Sequence, residues 1–281
     1  MTDFLEQVIA ERRAYVASAR ERVPQHELRA EMTALRPNHF LEAIFNVTRQ
    51  GLAVIAEVKR RSPALGPLAF DLDPAAQARR YVDAGATAIS VLTEPMHWDG
   101  SLEDLAAVRA AVDVPVLAKD VVVDPYQVYE ARAAGADAVL LIAEAFGVGG
   151  LRMIGSRPPR EFDPLQDMVA TVERIGMTAL VEAHEPVAFG RAVSSGARVV
   201  GVNARDLRHP ATIDIGRARQ LHTFARDDQI LVAESGIASV DDVRMLPSRI
   251  DAVLIGTALM RAADPAPLIH GIASIRRRVH A

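Results

Sequence analysis

The sequence predicts an α/β protein built as a single closed (β/α)8 barrel, with an extra N-terminal helix and a long loop after the fourth strand. Three observations indicate this fold. Short apolar segments recur along the 281-residue chain, stretches with a helical period separate them, and no dinucleotide-type glycine fingerprint follows an early strand. Strands that alternate with helices form parallel sheets, and eight such units favour a closed barrel over the alternative, an open doubly wound sheet.

The first element is a charged segment with a helical period. Its inward side comprises Phe4, Leu5, Val8, Ile9, Arg12 and Val16. We expect an amphipathic helix packed on the main body, and neither a signal peptide nor a membrane span, because the segment contains no continuous apolar stretch. This helix belongs to a predicted extension, residues 1–48, and the barrel is assigned to residues 49–281.

Four of the eight predicted strands belong to an internal repeat. Four segments run into a short apolar strand, the first three after a small residue and a glycine: AGATAISVL (84–92), AGADAVLLI (134–142), SGARVVGVN (195–203) and RIDAVLIGT (249–257). The other apolar segments are LAVIAEV (52–58), VPVLA (114–118), TALVEA (178–183) and ILVA (230–233). A repeat of this kind predicts copies of one supersecondary unit, as in a TIM barrel.

The predicted helices lie between these strands. Several begin with an Asp or Ser that can cap the helix, and three of these have Pro at the next position: DPAAQARRYVDA, DPYQVYEARAA and DPLQDMVATVERI. One connection, the loop at 144–166 after the fourth strand, is much longer than the others. A long loop on that face is either a lid over the site or an inert surface loop.

Composition excludes several classes of function. The formal net charge of −4 gives no reason to expect a nucleic-acid partner, and the chain has no cysteine for disulfides, thiolate metal sites or a cysteine nucleophile. Metal-ligand spacings of His, Cys and Asp/Glu are absent from the sequence, so we expect no metal. We expect a cytoplasmic protein, without a membrane partner, that is a monomer or a weak homo-oligomer.

Polar residues gather at the predicted carboxyl ends of the strands, where this type of barrel places its chemistry. Within VIAEVKRRSP (54–63), Glu57 and Lys59 stand two positions apart and project from one face of the strand. The following strand ends carry Thr93, Glu94, Lys119, Asp120, Glu144, Glu182, His184, Asn203, Arg205, Asp206, Glu234, Ser235 and Thr257. The opposite strand ends carry mainly Gly, Ala, Val, Thr and Pro.

Unpaired charges concentrated at a narrow mouth are unfavourable for stability, so stability does not explain them. The pattern therefore predicts an active site. Structural ion pairs, Glu57 with Lys59 and Lys119 with Asp120, are the alternative. Two further segments, ESGI (234–237) and LIGT (254–257), place glycine beside a hydroxyl residue and predict a phosphate site, which Lys59 and Ser62 would complete. Tight turns alone would also explain these glycines.

These residues resemble a known family, indole-3-glycerol-phosphate synthase of tryptophan biosynthesis. The resemblance runs over nearly the whole chain. The motifs that carry it are IAEVKRRSP (55–63), VLTEP with GSLEDL (91–105), LAKD (117–120), ALVEAH (179–184), GVNARDL (201–207), AESGI (233–237) and VLIGTALM (253–260). The N-terminal FLEQVIAERRAYV is similar to the extra helix that precedes the barrel in that family.

The resemblance implies a cofactor-free ring closure of a phosphorylated small molecule, with loss of carbon dioxide and water. It implies that Lys119 is the general acid, with a pKa that we expect to be lowered by other cations in the mouth. Glu182 is implied as the carboxylate for dehydration, Glu57 as the group that holds the substrate and Lys119, and Lys59 as the ligand of a carboxylate or the phosphate. The other implied substrate-binding residues are Asn203, Ser235, Glu234, Arg205, Ser62, Gly236, Gly256 and Thr257.

Three features depart from the family. Val121 stands where the family usually has an aromatic residue, and Trp98 on a neighbouring loop is a candidate to compensate for it in packing against the substrate ring. SPALG replaces a more polar loop, and the long segment after the fourth strand has no counterpart in the typical member. These departures keep open a paralogue that acts on a modified anthranilate adduct.

Two other readings remain as alternatives. A sugar-phosphate isomerase such as phosphoribosylanthranilate isomerase is less favoured, because the usual acid–base pair of that family includes a cysteine. A non-catalytic barrel that only binds ligands is also less favoured, because a scaffold has no physical need for the charges at positions 57, 59, 119 and 182.

Overall fold

A barrel of eight parallel strands forms the centre of the molecule. The computed structural model describes residues 3–32, 38–49, 51–69, 71–147 and 163–276. The strands are β1 (Ala53–Val58), β2 (Arg61–Ser62), β3 (Gly66–Pro67), β4 (Ala88–Leu92), β5 (Val116–Lys119), β6 (Ala138–Ile142), β7 (Thr178–Ala183), β8 (Val199–Asn203), β9 (Ile230–Glu234) and β10 (Ala252–Ile255). Strands β2 and β3 form a small hairpin, and the other eight close in sequence order, with β10 pairing back onto β1. The predicted closed barrel is confirmed.

Helices alternate with the barrel strands, as the sequence predicts. They are α1 (Phe4–Arg22), α2 (Gln25–Glu31), α3 (Phe40–Thr48), α4 (Pro74–Asp83), α5 (Leu102–Ala111), α6 (Pro125–Ala133), α7 (Pro164–Arg174), α8 (Pro186–Ser194), α9 (Arg217–Leu221), α10 (Val240–Arg244), α11 (Thr257–Arg261) and α12 (Ala266–Ala273). Asp73, Asp124 and Asp163 each cap a helix through the side chain, and proline follows each of them. The capping predictions made from these Asp-Pro pairs are confirmed.

Burial of the barrel strands explains why their sequences are continuous apolar runs. Every residue of the eight barrel strands is buried except Lys119, the last residue of β5. Parallel strands are covered on both faces, here by side chains inside the barrel and by helices outside it. A partly exposed lysine at a strand end is therefore the exception within an otherwise closed core.

The N-terminal helices lie against the barrel. Helix α1 buries Leu5, Val8 and Val16, which confirms the predicted amphipathic pattern. Helix α3 buries Phe40 and Ile44, and the nearby Asn38 donates a hydrogen bond to Thr178 Oγ1 at the start of β7. We retain the division into residues 1–48 and 49–281 as a proposal.

The long connection after β6 is described only at its two ends. A single 3₁₀ turn spans Ala143–Phe146, and the chain is described again from Asp163, which caps α7. The loop at 144–166, for which a lid and an inert surface loop were the two alternatives, therefore lies mostly outside the described residues. Among those that are described, no helix combines the length and the apolar character that crossing a bilayer requires.

Candidate active site

Glu57 and Lys59 form an ion pair at the carboxyl end of β1. Lys59 Nζ lies 2.6 Å from Glu57 Oε1, and the carboxylate is almost fully buried. The neighbouring Gly256 is required by this pair. A Cβ atom at that position would lie 2.1 Å from Glu57 Oε1 and 2.9 Å from Lys59 Nζ, so any other residue would displace one of the two charges. The predicted common direction of Glu57 and Lys59 is confirmed.

A second charged group lies across the mouth and brings together three strands. Lys119 Nζ, at the end of β5, lies 3.2 Å from Glu182 Oε2 on β7 and 3.9 Å from Glu234 Oε2 on β9. Gly201 on β8, between those two strands, makes room for Glu234, because a Cβ atom there would lie 2.1 Å from Glu234 Oε1. One ammonium group thus faces two carboxyl groups from distant parts of the chain.

The electrostatics of these groups are set by burial and by one another. Burial raises the pKa of Glu57, but the charges of Lys59 and Lys119 outweigh burial and hold that pKa below its ordinary value. Burial by itself lowers the pKa of Lys119, yet the carboxyl groups of Glu182, Glu234 and Glu57 outweigh it and raise that pKa. The expectation of a lowered pKa for Lys119 is therefore wrong. Its nearest charged neighbours are carboxylates and not cations.

Glu234 behaves in the opposite way to Glu57. Its pKa is raised well above the ordinary value, first by burial and then by the nearby Glu182, while Lys119 opposes the shift only in part. Within the described part of the chain, both oxygens of Glu234 and Oε1 of Glu182 lack a hydrogen-bond partner although they are buried. Buried polar atoms are normally paired, so these atoms either share the proton that Glu234 retains beside Glu182 or pair with a ligand.

A cavity of about 320 Å³ opens above these groups. The predicted site residues all line it: Glu57, Lys59, Ser62, Trp98, Lys119, Glu182, Asn203, Arg205, Glu234, Ser235, Gly236, Gly256 and Thr257. The structure therefore brings together every residue that the resemblance implied for the site, whereas Thr93, Glu144, His184 and Asp206 of the other strand ends do not line this cavity. This proximity does not by itself assign their roles.

One side of the cavity has the features of an anion site. Ser235 and Gly236 follow β9 with φ values of 66° and 73°, so two consecutive residues adopt left-handed backbone. This conformation at a serine is unfavourable by roughly 1–3 kcal/mol and is found mostly at functional sites. Ser62, Gly256 and Thr257 line the same cavity, and Gly256 lies beside the ammonium group of Lys59, which supplies positive charge there.

Apolar side chains form another part of the cavity lining, which we call the apolar wall. It includes Val121, which is 2% exposed, and Trp98 on the loop after β4. Sequence reasoning missed Leu65, Leu207, Ile213 and Arg261, which line the cavity as well. They lie in loops and at a helix end, where no strand period marks them, although Leu65 and Leu207 fall within the quoted segments SPALG and GVNARDL.

Several strand-end polar residues serve the fold instead. The carboxylate of Glu94 accepts hydrogen bonds from the backbone N–H groups of residues 96–98, and Glu144 accepts those of residues 184 and 185. His184 Nδ1 lies 2.8 Å from the backbone oxygen of Asn203, so this histidine ties β7 to β8. Asp120 forms an ion pair with Arg12 of α1 and not with Lys119, so the alternative pairing of Lys119 with Asp120 is wrong.

Comparison with known proteins identifies close relatives of the chain. The family model described as Indole-3-glycerol phosphate synthase matches residues 5–272. Relatives named indole-3-glycerol phosphate synthase include those of Mycobacterium avium, 42% identical over 93% of this chain and 90% of the relative, and of a Nocardioides species, 44% identical over 93% and 94%. That of Carboxydothermus hydrogenoformans is 40% identical over 93% and 96%.

A more distant structure supports the architecture. Thiamine phosphate pyrophosphorylase from Pyrococcus furiosus superposes with a TM-score of 0.55 at 17% sequence identity, covering 79% of this chain and 93% of its own. At that identity the likeness concerns the fold alone.

Proposed function

This chain belongs to the indole-3-glycerol phosphate synthase family, and from that premise we propose how its cavity residues divide the work of the reaction. The enzyme is a decarboxylating lyase that acts on a phosphorylated small molecule. The substrate is 1-(2-carboxyphenylamino)-1-deoxyribulose 5-phosphate, and the products are indole-3-glycerol phosphate, carbon dioxide and water. The observation that carries the assignment of roles is the position of Lys119 between Glu182 and Glu234, in the same cavity as the Glu57–Lys59 pair.

Lys119 is the general acid in this proposal. The ring carbon that bears the carboxylate attacks the ketone carbon, and the ketone oxygen gains negative charge as the new bond forms. The raised pKa of Lys119 keeps it as an ammonium group, which stabilises that charge and then donates a proton to the oxygen. A lowered pKa is not required, because an alkoxide is a stronger base than a lysine amine.

Loss of carbon dioxide then restores the aromatic ring, and dehydration completes the indole. Dehydration needs a group that accepts a proton from the substrate and an acid that protonates the leaving hydroxyl. Glu182 is assigned to the dehydration step because its Oε2 contacts Lys119 while its Oε1 has no hydrogen-bond partner among the described residues. Glu57 holds the substrate amine or hydroxyls, and its charge also acts on Lys119.

The remaining residues position the substrate. Lys59 binds the phosphate or the ring carboxylate, and Ser62, Ser235, Gly236, Gly256 and Thr257 form the rest of the anion site. Asn203 and Arg205 are linked, since the Arg205 backbone N–H donates to Asn203 Oδ1 at 2.9 Å, and both orient the sugar chain. Trp98 and Val121 contact the aromatic ring, and Glu234 supports the lysine cations.

The alternative with a specific observation in its favour is a paralogue for a modified anthranilate adduct. Val121 lies on the apolar wall of the cavity and is smaller than the aromatic residue that is usual in the family. A smaller side chain leaves more room beside the substrate ring, which would admit a ring substituent. We further propose a cytoplasmic monomer or weak homo-oligomer without nucleic-acid or membrane partners.

The test is turnover by the purified full-length chain. With the carboxyphenylamino sugar phosphate and no added metal, we expect indole absorbance and fluorescence to develop with time. No turnover would reject the proposed function, and turnover of phosphoribosylanthranilate alone would favour the isomerase. A higher kcat/KM for ring-substituted substrates than for the unsubstituted one would identify the paralogue.

A further inference from the structure

Helix α1 contains a buried arginine, Arg12, whose guanidinium group lies at the end of the strand that contains Lys119. Arg12 is 5% exposed, and its Nη2 lies 2.6 Å from Asp120 Oδ2. Asp120 is the next residue after Lys119 and is 9% exposed. The two partners are separated by 108 positions in the chain, so this contact joins the N-terminal helix directly to the proposed general acid's strand.

Asp120 also binds the backbone around Lys119. Its Oδ1 accepts a hydrogen bond from the Val121 N–H at 2.7 Å, and its Oδ2 accepts one from Thr93 Oγ1 at 3.4 Å. Thr93 in turn donates its backbone N–H to the carbonyl oxygen of Lys119 at 3.0 Å. Asp120 is therefore bonded to Val121, two positions after Lys119, and to Thr93, which binds the Lys119 carbonyl. A displacement of the Asp120 carboxylate moves the Lys119 backbone as well.

Helix α1 is itself held in place against loops that follow the barrel strands. Glu11 Oε2 lies 2.6 Å from His97 Nε2 on the loop after β4, and the Phe4 ring packs edge-on against the His97 ring at 5.0 Å between centroids. The backbone N–H of Phe4 donates to the carbonyl of Arg208, beyond β8. These contacts at the first turns of α1 fix the helix from which Arg12 reaches Asp120.

From this arrangement we propose that Arg12 is a positioning residue for catalysis, which holds Lys119 in register with Glu182 by pairing with Asp120. The proposal rests on the proposed function of Lys119 as general acid. Without the guanidinium, the Asp120 carboxylate is left buried without its ion-pair partner. A displacement of this carboxylate would shift the Lys119 backbone that it holds, and would take the ammonium away from Glu182 and from the ketone oxygen that it must protonate.

The decisive experiment uses Arg12→Met, which keeps an unbranched apolar side chain in place of the arginine stem and removes the guanidinium charge. We expect kcat to fall roughly tenfold to a hundredfold, since a displacement of about 1 Å can cost that much. KM should change less than kcat, because the residues assigned to the phosphate, which include Ser62, Ser235 and Thr257, lie on other strands and loops. Arg12→Lys should recover part of the lost kcat.

The chain offers a matched control on the same helix. Arg20 Nη2 lies 2.6 Å from Asp124 Oδ1, the cap of α6, so this ion pair also joins α1 to the segment after β5. It is more exposed and does not contact the residues around Lys119. Arg20→Met should lower the thermal midpoint without lowering kcat per folded molecule.

A double variant separates positioning from general loss of structure. In Arg12→Met with Asp120→Asn, the amide still accepts the Val121 N–H but no unpaired charge remains. We expect kcat of the double variant to lie above that of Arg12→Met and below that of the wild type. This double variant also serves if Arg12→Met alone does not fold.

The results that would overturn the inference are specific. A kcat of Arg12→Met, or of the double variant, equal to that of the wild type would show that the pair does not position Lys119. An equal loss of kcat in Arg20→Met would show a structural role of α1 only. If the wild type forms no indole product, the proposed function fails and this inference fails with it, whereas an active wild type leaves the inference to be judged alone.

Discussion

The two ends of the barrel use the same types of charged residue in opposite ways. At the amino end, Asp137 Oδ2 accepts hydrogen bonds from Arg109 Nη1 at 2.7 Å and from the Val116 N–H at 2.9 Å. Asp251 there pairs with Arg249 and accepts the Leu231 N–H at 2.8 Å. At the carboxyl end, Glu182 and Glu234 share Lys119, and three of their four oxygens lack a hydrogen-bond partner within the described residues.

The difference teaches how to distinguish a structural charge from a functional one in this molecule. Each aspartate of the amino end is paired with an arginine of its own and a strand N–H, so it adds little strain and fixes the start of the strand. The two glutamates of the mouth are buried at a cost in free energy that the single ammonium group of Lys119 offsets only in part. Such groups persist in a fold when a substrate satisfies them.

The largest difference between the two ends is expected when the ammonium charge at the centre of the mouth is removed. Lys119→Met should lower kcat by roughly 10²–10⁴-fold, the usual contribution of a general acid. Steady-state kinetics with the carboxyphenylamino sugar phosphate measure this. Normal turnover by the variant would show that Lys119 is not the acid, whatever the fold.

The corresponding change at the amino end should affect stability and not catalysis. Arg109→Met leaves Asp137 without that ion pair, and breaking a buried pair typically costs about 3–5 kcal/mol. Urea unfolding should show the loss, while kcat per folded molecule stays at the wild-type value. A fall in kcat comparable to that of Lys119→Met would erase the distinction between the two ends.

The buried Glu234 of the mouth is expected to lower the free energy of unfolding in a pH-dependent way. The pKa of Glu234 is raised in the folded protein by burial and by Glu182, whereas the unfolded chain has an ordinary Glu pKa near 4.3. As pH rises above that unfolded value, the folded state retains a proton that the unfolded state loses, so Glu234 destabilises the fold progressively up to its raised pKa. Below about pH 4 both states are protonated and this cost is absent.

Glu234→Gln should therefore be more stable than the wild type at pH 8, and the advantage should shrink as the pH is lowered toward 4. We expect about 2–4 °C in Tm for each kcal/mol gained. Thermal unfolding followed by circular dichroism across this pH range measures the difference. Asp137→Asn is the matched control and should be less stable than the wild type, and a Glu234→Gln variant that was also less stable at pH 8 would contradict the prediction.

The smallest expected effect lies on the apolar wall. Val121→Phe should lower KM roughly two- to tenfold for the unsubstituted substrate, because an aromatic contact with the ring contributes about 0.5–1.5 kcal/mol. The same change should raise KM for substrates with a bulky ring substituent. Val121→Leu controls for added volume without an aromatic face, and an unchanged KM in both variants would remove Val121 from the substrate contacts.

The fold could be predicted closely from the sequence because its signals are local. The Asp-Pro caps and the apolar runs depend on neighbours a few positions away, and they placed the strands and helices that the structure contains. The repeat also contains a position with polar side chains that the prediction did not use. Thr87, Asp137 and Asp251 occupy one position of it, and each accepts the backbone N–H of the preceding barrel strand. The expectation that the amino ends carry mainly small and apolar residues overlooked these two aspartates.

The candidate site was predictable for a different reason. In a parallel barrel every strand ends at the same rim, so a polar residue at a strand end is close to all the others even when the chain separates them widely. That rule identified Glu57, Lys119 and Glu182 together. It could not separate them from Glu94, Glu144 and His184, which stand at the same rim but bind backbone groups.

The sequence alone determined the alternation of strands and helices, the caps, and the set of residues at the catalytic rim, because side-chain periodicity and backbone propensity act over a few residues. Only the tertiary structure decided which charges face one another. Lys119 contacts Glu182 across 63 positions and Asp120 contacts Arg12 across 108, and these partners set the direction of the Lys119 pKa and the orientation of its strand end. Electrostatic energy depends on distance in space, which the order of residues along the chain does not specify.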